Sequence, residues 1–315
     1  MNPLGRSGLQ ISALSLGTMN FGADWHGIGA IDDKAASSLL DLALDRGVNL
    51  IDTADIYGRG ASEEMLGRLL KGRRKKLLLA TKLLGRMKPE DADTGGLSAR
   101  WIKRALDDSL RRLKTDYVDL YMPHGWDHET PLEETFEALD RAVKAGKVRV
   151  LGCSNFSGDQ LTQSLGTAVA TRGARFEFDQ VQYSLVARFA ENELVPVAQR
   201  DRVALLAWSP LAGGLLSGKY GAAGATGRRA AEGAFPHVAP ERGAAVVEVL
   251  RRVAALERST CAQAALGWIL SKPFVASATL GARTPAQLTE LLDAQPLSPR
   301  AAALLDRASE ICSRP

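Results

Sequence analysis

Residues 48–58 read VNLIDTADIYG. Val48, Leu50 and Ile51 form an apolar run of the kind that fills a strand buried on both faces, and Asp52 ends it. Tyr57 follows beside Gly58. A carboxylate at a strand end with a phenol just beyond it suits acid–base chemistry, because a phenol tuned by neighbouring charges can protonate a carbonyl oxygen. Read outward from this stretch, the same unit of apolar strand, polar end and amphipathic helix recurs along the whole chain.

The strand candidates are 14–17, 48–52, 77–82, 117–122, 148–153, 178–182, 203–208 and 275–279. Continuous apolar runs of this length separated by helical patterns read as parallel strands. Ser98 precedes a helix with Ile102, Ala105, Leu106, Leu110 and Leu113 on one face, and the helix over 33–45 places Ala36, Leu39, Leu40, Ala43 and Leu44 inside. Thr130-Pro131-Leu132-Glu133 and Thr284-Pro285-Ala286-Gln287 each offer an N-cap, Pro at the first helical position and a capping-box residue. Eight alternations predict an α/β fold of the (β/α)₈ TIM-barrel type rather than an open doubly wound sheet. Residues 3–12, with Gly5, Gly8 and alternating Leu9 and Ile11, predict a β-hairpin ahead of the first barrel strand. The tail from Ser298 predicts extra C-terminal helices. The segment 211–240 exceeds the minimum connection and reads as a substrate loop or cap. With no linker in the pattern, residues 1–315 are expected to form one domain.

The composition suits a globular protein with a large core: 45% of residues are hydrophobic and 24% charged. A net charge of +4 is too small and too spread to imply nucleic acid, and a small anionic cofactor accounts for it as well. The basic run at 71–76 reads as a solvated loop. Cys153, Cys261 and Cys312 are widely separated and odd in number, which excludes a disulfide framework or a zinc spacing and fits a reducing compartment. The N-terminal MNPLGRSGLQ lacks an apolar signal core, and the uncharged run 203–218 is too short to span a bilayer, so a cytoplasmic location and no membrane partner are expected.

In a barrel the C-terminal strand ends face the active site. Here they carry Gly17-Thr18, Asp52, Lys82, His124, Ser154-Asn155, Gln180 with Tyr183, Trp208-Ser209, and Gly281 with Arg283. An unperturbed tyrosine has a pKa of about 10 and is a reluctant acid near neutrality. A nearby lysine is expected to pull it down, an aspartate to hold the lysine charged, and a histidine to orient a carbonyl or share its proton. Asp52, Tyr57, Lys82 and His124 match those four roles. Ser154, Asn155 and Gln180 carry the donors and acceptors that a nicotinamide amide needs, and Trp208 could stack on its ring.

These segments resemble the aldo-keto reductase superfamily. LIDTADIYG, ATK at 80–82, DYVDLYMPHGWD at 116–127, GKVRVLGCSNFS at 146–157, DQVQYSLVAR at 179–188, AWSPLAGGLLSGKY at 207–220 and LGARTPAQL at 280–288 run in family order. The resemblance places Asp52, Tyr57, Lys82 and His124 in a catalytic tetrad, with Tyr57 as general acid. It implies NADP(H) as cofactor, with Ser154, Asn155 and Gln180 on the carboxamide and Trp208 stacked on the ring. Ser209, Leu211 and Gly213 would approach the pyrophosphate, and Arg283 and Gln287 the adenosine end, Arg283 pairing the 2′-phosphate. Gly17, Thr18, Asp52, Lys219, Gly281 and Glu290 complete the implied cofactor contacts. Leu291 departs from the family, which often has Asn after Glu290. The implied substrate is a small carbonyl compound or alcohol. Met19, Trp25 and Trp126, with Phe21 and Tyr183, are candidates for an aromatic substrate pocket. The family also implies two alternatives, an oxidative alcohol or sugar dehydrogenase and a cofactor-binding subunit like those of potassium channels. It leaves the oligomeric state open.

Other signals fail. Gly213-x₄-Gly218-Lys219 imitates a phosphate loop, but Tyr220 stands where Ser or Thr would hold magnesium. Gly27-Ile28-Gly29 lacks the third glycine of a dinucleotide fingerprint. His124 and His128 flank Gly125 in a loop with no third ligand in view, so no metal is expected. Cys153 reads as an inert core thiol and Trp101 as helix packing.

Overall fold

A computed structural model describes residues 1–24, 27, 29–219 and 240–313. Eight parallel strands close into a barrel. In chain order they are β3 (Leu14–Gly17), β4 (Leu50–Asp52), β5 (Leu78–Leu83), β6 (Val118–Pro123), β7 (Val148–Ser154), β8 (Phe176–Gln182), β9 (Ala204–Trp208) and β10 (Val275–Leu280), with β10 pairing back to β3. The helices α1 (Asp33–Asp45), α2 (Ala61–Leu69), α3 (Ala99–Leu113), α4 (Leu132–Lys144), α5 (Gly158–Thr171) and α6 (Leu194–Asp201) each follow one strand. After β9 come α7 (Pro240–Leu256) and α8 (Cys261–Leu270); α9 (Pro285–Leu292) and α10 (Pro299–Ala308) follow β10. No helix of the described residues is long and apolar enough to cross a membrane.

The expected hairpin is present as β1 (Asn2–Pro3) paired antiparallel with β2 (Gln10–Ile11). It closes the end of the barrel opposite the site. Leu4 and Ile11 are fully buried and join Leu50, Leu120, Met122 and Phe178 in the barrel interior. Gly5 has a φ of +56°, and a Cβ there would lie 2.2 Å from the Glu177 carbonyl oxygen, so only glycine lets the turn seat on β8.

Gly152 is set by packing. A Cβ on it would lie 2.4 Å from the ring of Phe178, which fills the barrel on the neighbouring strand. Gly152→Ala is therefore expected to overpack a rigid core and destabilise the protein by about 1–3 kcal/mol. Urea denaturation would show this as a lower midpoint with an unchanged slope; a wild-type midpoint would refute the packing account.

Most boundaries shift from the sequence reading by one or two residues. One helix start differs in kind. Thr130 spends its hydroxyl on Asp127 Oδ2 at 2.8 Å, and α4 begins at Leu132 without a side-chain cap. The Asp127 carboxylate, which also accepts from the backbone of Leu97 and Glu129, competes for the threonine and wins. Ser98 and Thr284 cap α3 and α9 as expected, but Gln287 Oε1 accepts from the Arg283 N–H and does not close a capping box on Thr284.

Tyr183 is not in a substrate pocket. It is buried, stacks on Trp268 at 5.3 Å and donates to Glu191 Oε1 at 2.6 Å. Arg188 forks onto the same Glu191 and donates to the Asp306 carbonyl and Ser309 Oγ, which ties the C-terminal helix to the loop after β8. Phe21 is likewise core rather than pocket, at 1% exposure. Cys153, Cys261 and Cys312 form no disulfide among the described residues.

Candidate active site

Asp52 ends β4 in register with Ala80, two residues before Lys82 on β5. Both side chains point into the barrel. Lys82 has no solvent exposure and donates to Asp52 Oδ2 at 2.7 Å, to the Thr53 carbonyl at 2.8 Å and to Tyr57 Oη at 3.4 Å. The three ammonium protons are thereby directed. The second Asp52 oxygen accepts from Gln180 Nε2 at 2.8 Å, which joins β8 to the cluster.

Tyr57 reaches the lysine because the chain turns sharply after β4. Asp55 N–H donates to the Lys82 carbonyl, and Gly58 and Arg59, both at φ +53°, reverse the path into α2. A Cβ on Gly58 would lie 2.7 Å from Ala23 Cβ, so the turn is crowded as well as left-handed. His124 donates its backbone N–H to Leu83 at the end of β5 and sets its ring edge-on to Tyr57, centroids 5.8 Å apart.

The electrostatics differ from the simple expectation. Burial pushes the Tyr57 phenol up; the Lys82 ammonium pulls it down, but burial with the help of Asp52 leaves it above its ordinary value. The expected lowering by lysine is thus overridden by burial. Burial alone would depress Lys82, yet the Asp52 carboxylate and then Tyr57 hold it raised. His124 falls to about 3, first from burial and then from Lys82, so its imidazole is neutral at physiological pH.

Around the tetrad positions lie the proposed amide contacts. Ser154 Oγ donates to the Gln180 carbonyl at 2.8 Å. Asn155 sits in the left-handed region at φ +61°. Its Oδ1 accepts from the Trp208 indole at 2.8 Å, and its Nδ2 donates to the His124 carbonyl at 3.0 Å. A donor-only indole and an acceptor-only carbonyl leave a single orientation for this amide. Asn155 thus joins the ends of β6, β7 and β9, a link the sequence did not reveal.

The remaining candidates divide. Ser209 and Ala212 have φ of +53° and +49°, followed by Gly213 at +64° and Gly214 at +91°, so the segment after β9 winds tightly at the site's rim. Arg283 is exposed, its guanidinium close to Gly29, and its N–H donates to Gln287 Oε1 at 2.9 Å. Gly281 and Lys219 are exposed; Glu290 is half-buried, with its carbonyl accepting from Gln263. Leu291 packs in the core at 5% exposure. Gly17 is dictated by β10, since a Cβ would lie 2.9 Å from Thr279. Thr18 is fully buried and spends its hydroxyl on the Asp52 carbonyl and Ser62. Met19 is half-buried, Trp126 packs edge-on to Phe156 at 5.1 Å, and Trp25 lies outside the described residues, as do Ile28 and 220–239.

Two buried acids near the site escaped the sequence reading. Asp55 and Asp179 are fully buried with no hydrogen-bond partner to either oxygen among the described residues. Burial, then Glu63, raises Asp55 well above the usual carboxylate range. The available signal was the alternation of β8, in which Phe178 and Gln180 face the barrel interior and an acid between them faces the helix layer.

A closed barrel holds a directed lysine, a carboxylate and a phenol together at its C-terminal strand ends, groups of the kind that acid–base chemistry uses. The Aldo/keto reductase family model matches residues 13–310. An uncharacterized oxidoreductase, YrpG of Bacillus subtilis, is 38% identical over 94% of this chain and 90% of its own. A probable voltage-gated potassium channel subunit beta of Arabidopsis thaliana is 34% identical over 94% and 91%. The aldo-keto reductase AMT2 of Alternaria alternata is 31% identical over 93% and 86%. The chain belongs to the aldo/keto reductase family and is an oxidoreductase.

Proposed function

We propose that the chain reduces aldehydes and ketones to alcohols with NADPH, in the cytoplasm, as one barrel domain. The observation that carries this reading is the buried Lys82, which binds Asp52 on one side and Tyr57 on the other. The cofactor fits the residues present. Gln180 spends its Nε2 on Asp52, and its Oε1, which takes no donor from the described residues, is left to accept from a carboxamide. The left-handed winding after β9 is the kind of backbone that turns N–H groups toward a phosphate. Ser154, Asn155 and Gln180 would hold the carboxamide, with Trp208 against the ring. Gly17, Thr18, Ser209, Leu211, Gly213, Lys219 and Gly281 would border the rest of the dinucleotide, and Arg283, Gln287 and Glu290 its adenosine end.

When bound, the reduced nicotinamide supplies a hydride to the carbonyl carbon. Tyr57 gives its proton to the carbonyl oxygen, and the buried Lys82 ammonium stabilises the phenolate left behind. Asp52 keeps Lys82 charged and aimed. The neutral His124 orients the carbonyl by hydrogen bonding. Met19, Trp25 and Trp126 would border the substrate.

A panel of aldehydes, ketones, quinones and keto-sugars, followed by NADPH absorbance, tests the reading. Protein that quenches NADPH fluorescence yet consumes no carbonyl would instead favour a binding subunit, the reading suggested by the channel-subunit relative. Faster turnover with alcohols and NADP⁺ would favour a dehydrogenase. Arg283→Ala is expected to weaken NADPH by about tenfold and NADH much less, since a charge-assisted contact to the 2′-phosphate is lost. Equal losses in fluorescence titrations would refute that assignment.

A further inference from the structure

Asp127 lies shortly after His124, in the connection from β6 to α4, and its carboxylate binds two loops at once. Its Oδ2 accepts from the Leu97 N–H at 2.7 Å and from the Thr130 hydroxyl at 2.8 Å, and its Oδ1 from the Glu129 N–H at 2.9 Å. Glu129 and Thr130 belong to its own loop, whereas Leu97 stands near the end of the connection from β5 to α3. That second connection is folded on itself. The Gly96 N–H donates to the Leu84 carbonyl at 2.8 Å, and the Met87 N–H to the Thr94 carbonyl at 2.8 Å. Gly96 has a φ of +79°, and a Cβ on it would lie 3.2 Å from Asp127 Oδ2, so the two loops meet closely at the carboxylate.

Between His124 and Asp127 the chain carries Trp126. Its indole packs edge-on to Phe156, centroids 5.1 Å apart, and the residue stays half exposed. Leu84, half-buried, opens the other loop and reaches to within 3.2 Å of where a Cβ on Gly125 would lie. The backbone around Trp126 is held on both sides. Before it, the His124 N–H donates to the Leu83 carbonyl; after it, the Asp127 carboxylate takes its three donors. Hydrogen bonds to a carboxylate are the strong kind. The Leu97 N–H belongs to a residue at 3% exposure, so leaving it without an acceptor is costly.

We propose that Asp127 is a positioning residue for substrate: its carboxylate fastens the loop after β5 to the loop after β6 and so fixes Trp126 as the wall that meets the ring of an aryl carbonyl compound. The inference rests on the carbonyl-reduction reading above. Asp127 acts through Trp126 and not on the reacting atoms. His124 keeps anchors of its own, the Leu83 carbonyl and the Asn155 amide, so the acid–base geometry does not depend on the clamp.

Asp127→Ala removes all three contacts. KM and kcat are measured with benzaldehyde and with propanal at saturating NADPH, per folded protein. The wild type should favour benzaldehyde. In the variant the KM for benzaldehyde should rise about tenfold, the low end of what a misfit costs in an apolar pocket. Its kcat, and both constants for propanal, should stay at wild type, because the binding lost is common to ground and transition states. Asp127→Asn is the conservative control. Its amide oxygen turns toward the pair of donors, Leu97 and Thr130, which preserves the link between the loops, so the KM for benzaldehyde should stay near wild type. Gly96→Ala presses on the same contact from the other loop and should raise the same KM, which carries the test where Asp127→Ala does not fold. Equal losses toward both aldehydes would mark a merely structural role and overturn the proposal.

Emission of Trp126 reads the clamp without substrate or cofactor, each protein being compared with the same protein carrying Trp126→Phe. A shift in Asp127→Ala supports the proposal. Unchanged emission together with an unchanged KM for benzaldehyde overturns it. Wild-type protein that reduces neither aldehyde overturns the carbonyl reading, and the substrate role with it, even where the shift of Trp126 shows that Asp127 holds the loop.

Discussion

Replacing Tyr57 by Phe is expected to lower the rate of carbonyl reduction by about 10²–10⁴-fold, the range for losing a general acid. The ring would keep its place against His124, whose edge-on contact needs no hydroxyl. Cofactor affinity, read by fluorescence titration, should stay near wild type, because the proposed amide contacts come from β7 and β8. Retained turnover would remove Tyr57 from the mechanism. The pH profile of the wild-type enzyme at saturating cofactor is a second check. His124 sits near 3 and the Tyr57 phenol above its ordinary value, so neither changes state around neutrality. The turnover rate should be flat from about pH 6 to about pH 9. A limb near the ordinary histidine value would mean that His124 titrates as a catalytic acid.

Lys82→Met should cost both activity and the fold. Removing the ammonium leaves the Asp52 carboxylate buried with Gln180 alone as side-chain partner, and stripping one member from a buried pair costs about 3–5 kcal/mol. Urea unfolding should register that loss. Adding Asp52→Asn to Lys82→Met removes the stranded charge and should restore most of the stability, since a buried ion pair replaced as a unit is often neutral. The double variant should remain inactive, because nothing then stabilises the Tyr57 phenolate. If it regained activity, the lysine's role would be structural alone. If the single variant were as stable as wild type, Asp52 would have found another partner or taken up a proton.

How much of this was legible in the chain depends on distance. Strand β3 was read at its true bounds, and the others within a residue or two, because alternation and capping act locally. Asp52, Lys82 and His124 were legible as a set because each ends a strand, and a closed barrel brings consecutive strand ends together. Thr130 was misread because a carboxylate three residues back in sequence, placed by its contacts to Leu97 and Glu129, took its hydroxyl. Tyr183 was misread because its partners Glu191 and Trp268 come from the next loop and from α8.

The sequence by itself determined the barrel, the order of its strands and the identities of the polar groups at their ends, because periodicity and helix signals need no long-range information. The tertiary structure decided how those groups behave. Enclosure, not neighbouring charge, dominates Tyr57 and His124, since desolvation depends on what surrounds a group from all sides. The contacts of Asn155 with Trp208 and His124 and the isolation of Asp179 arise between segments dozens of residues apart, which only closure of the barrel brings within hydrogen-bonding range.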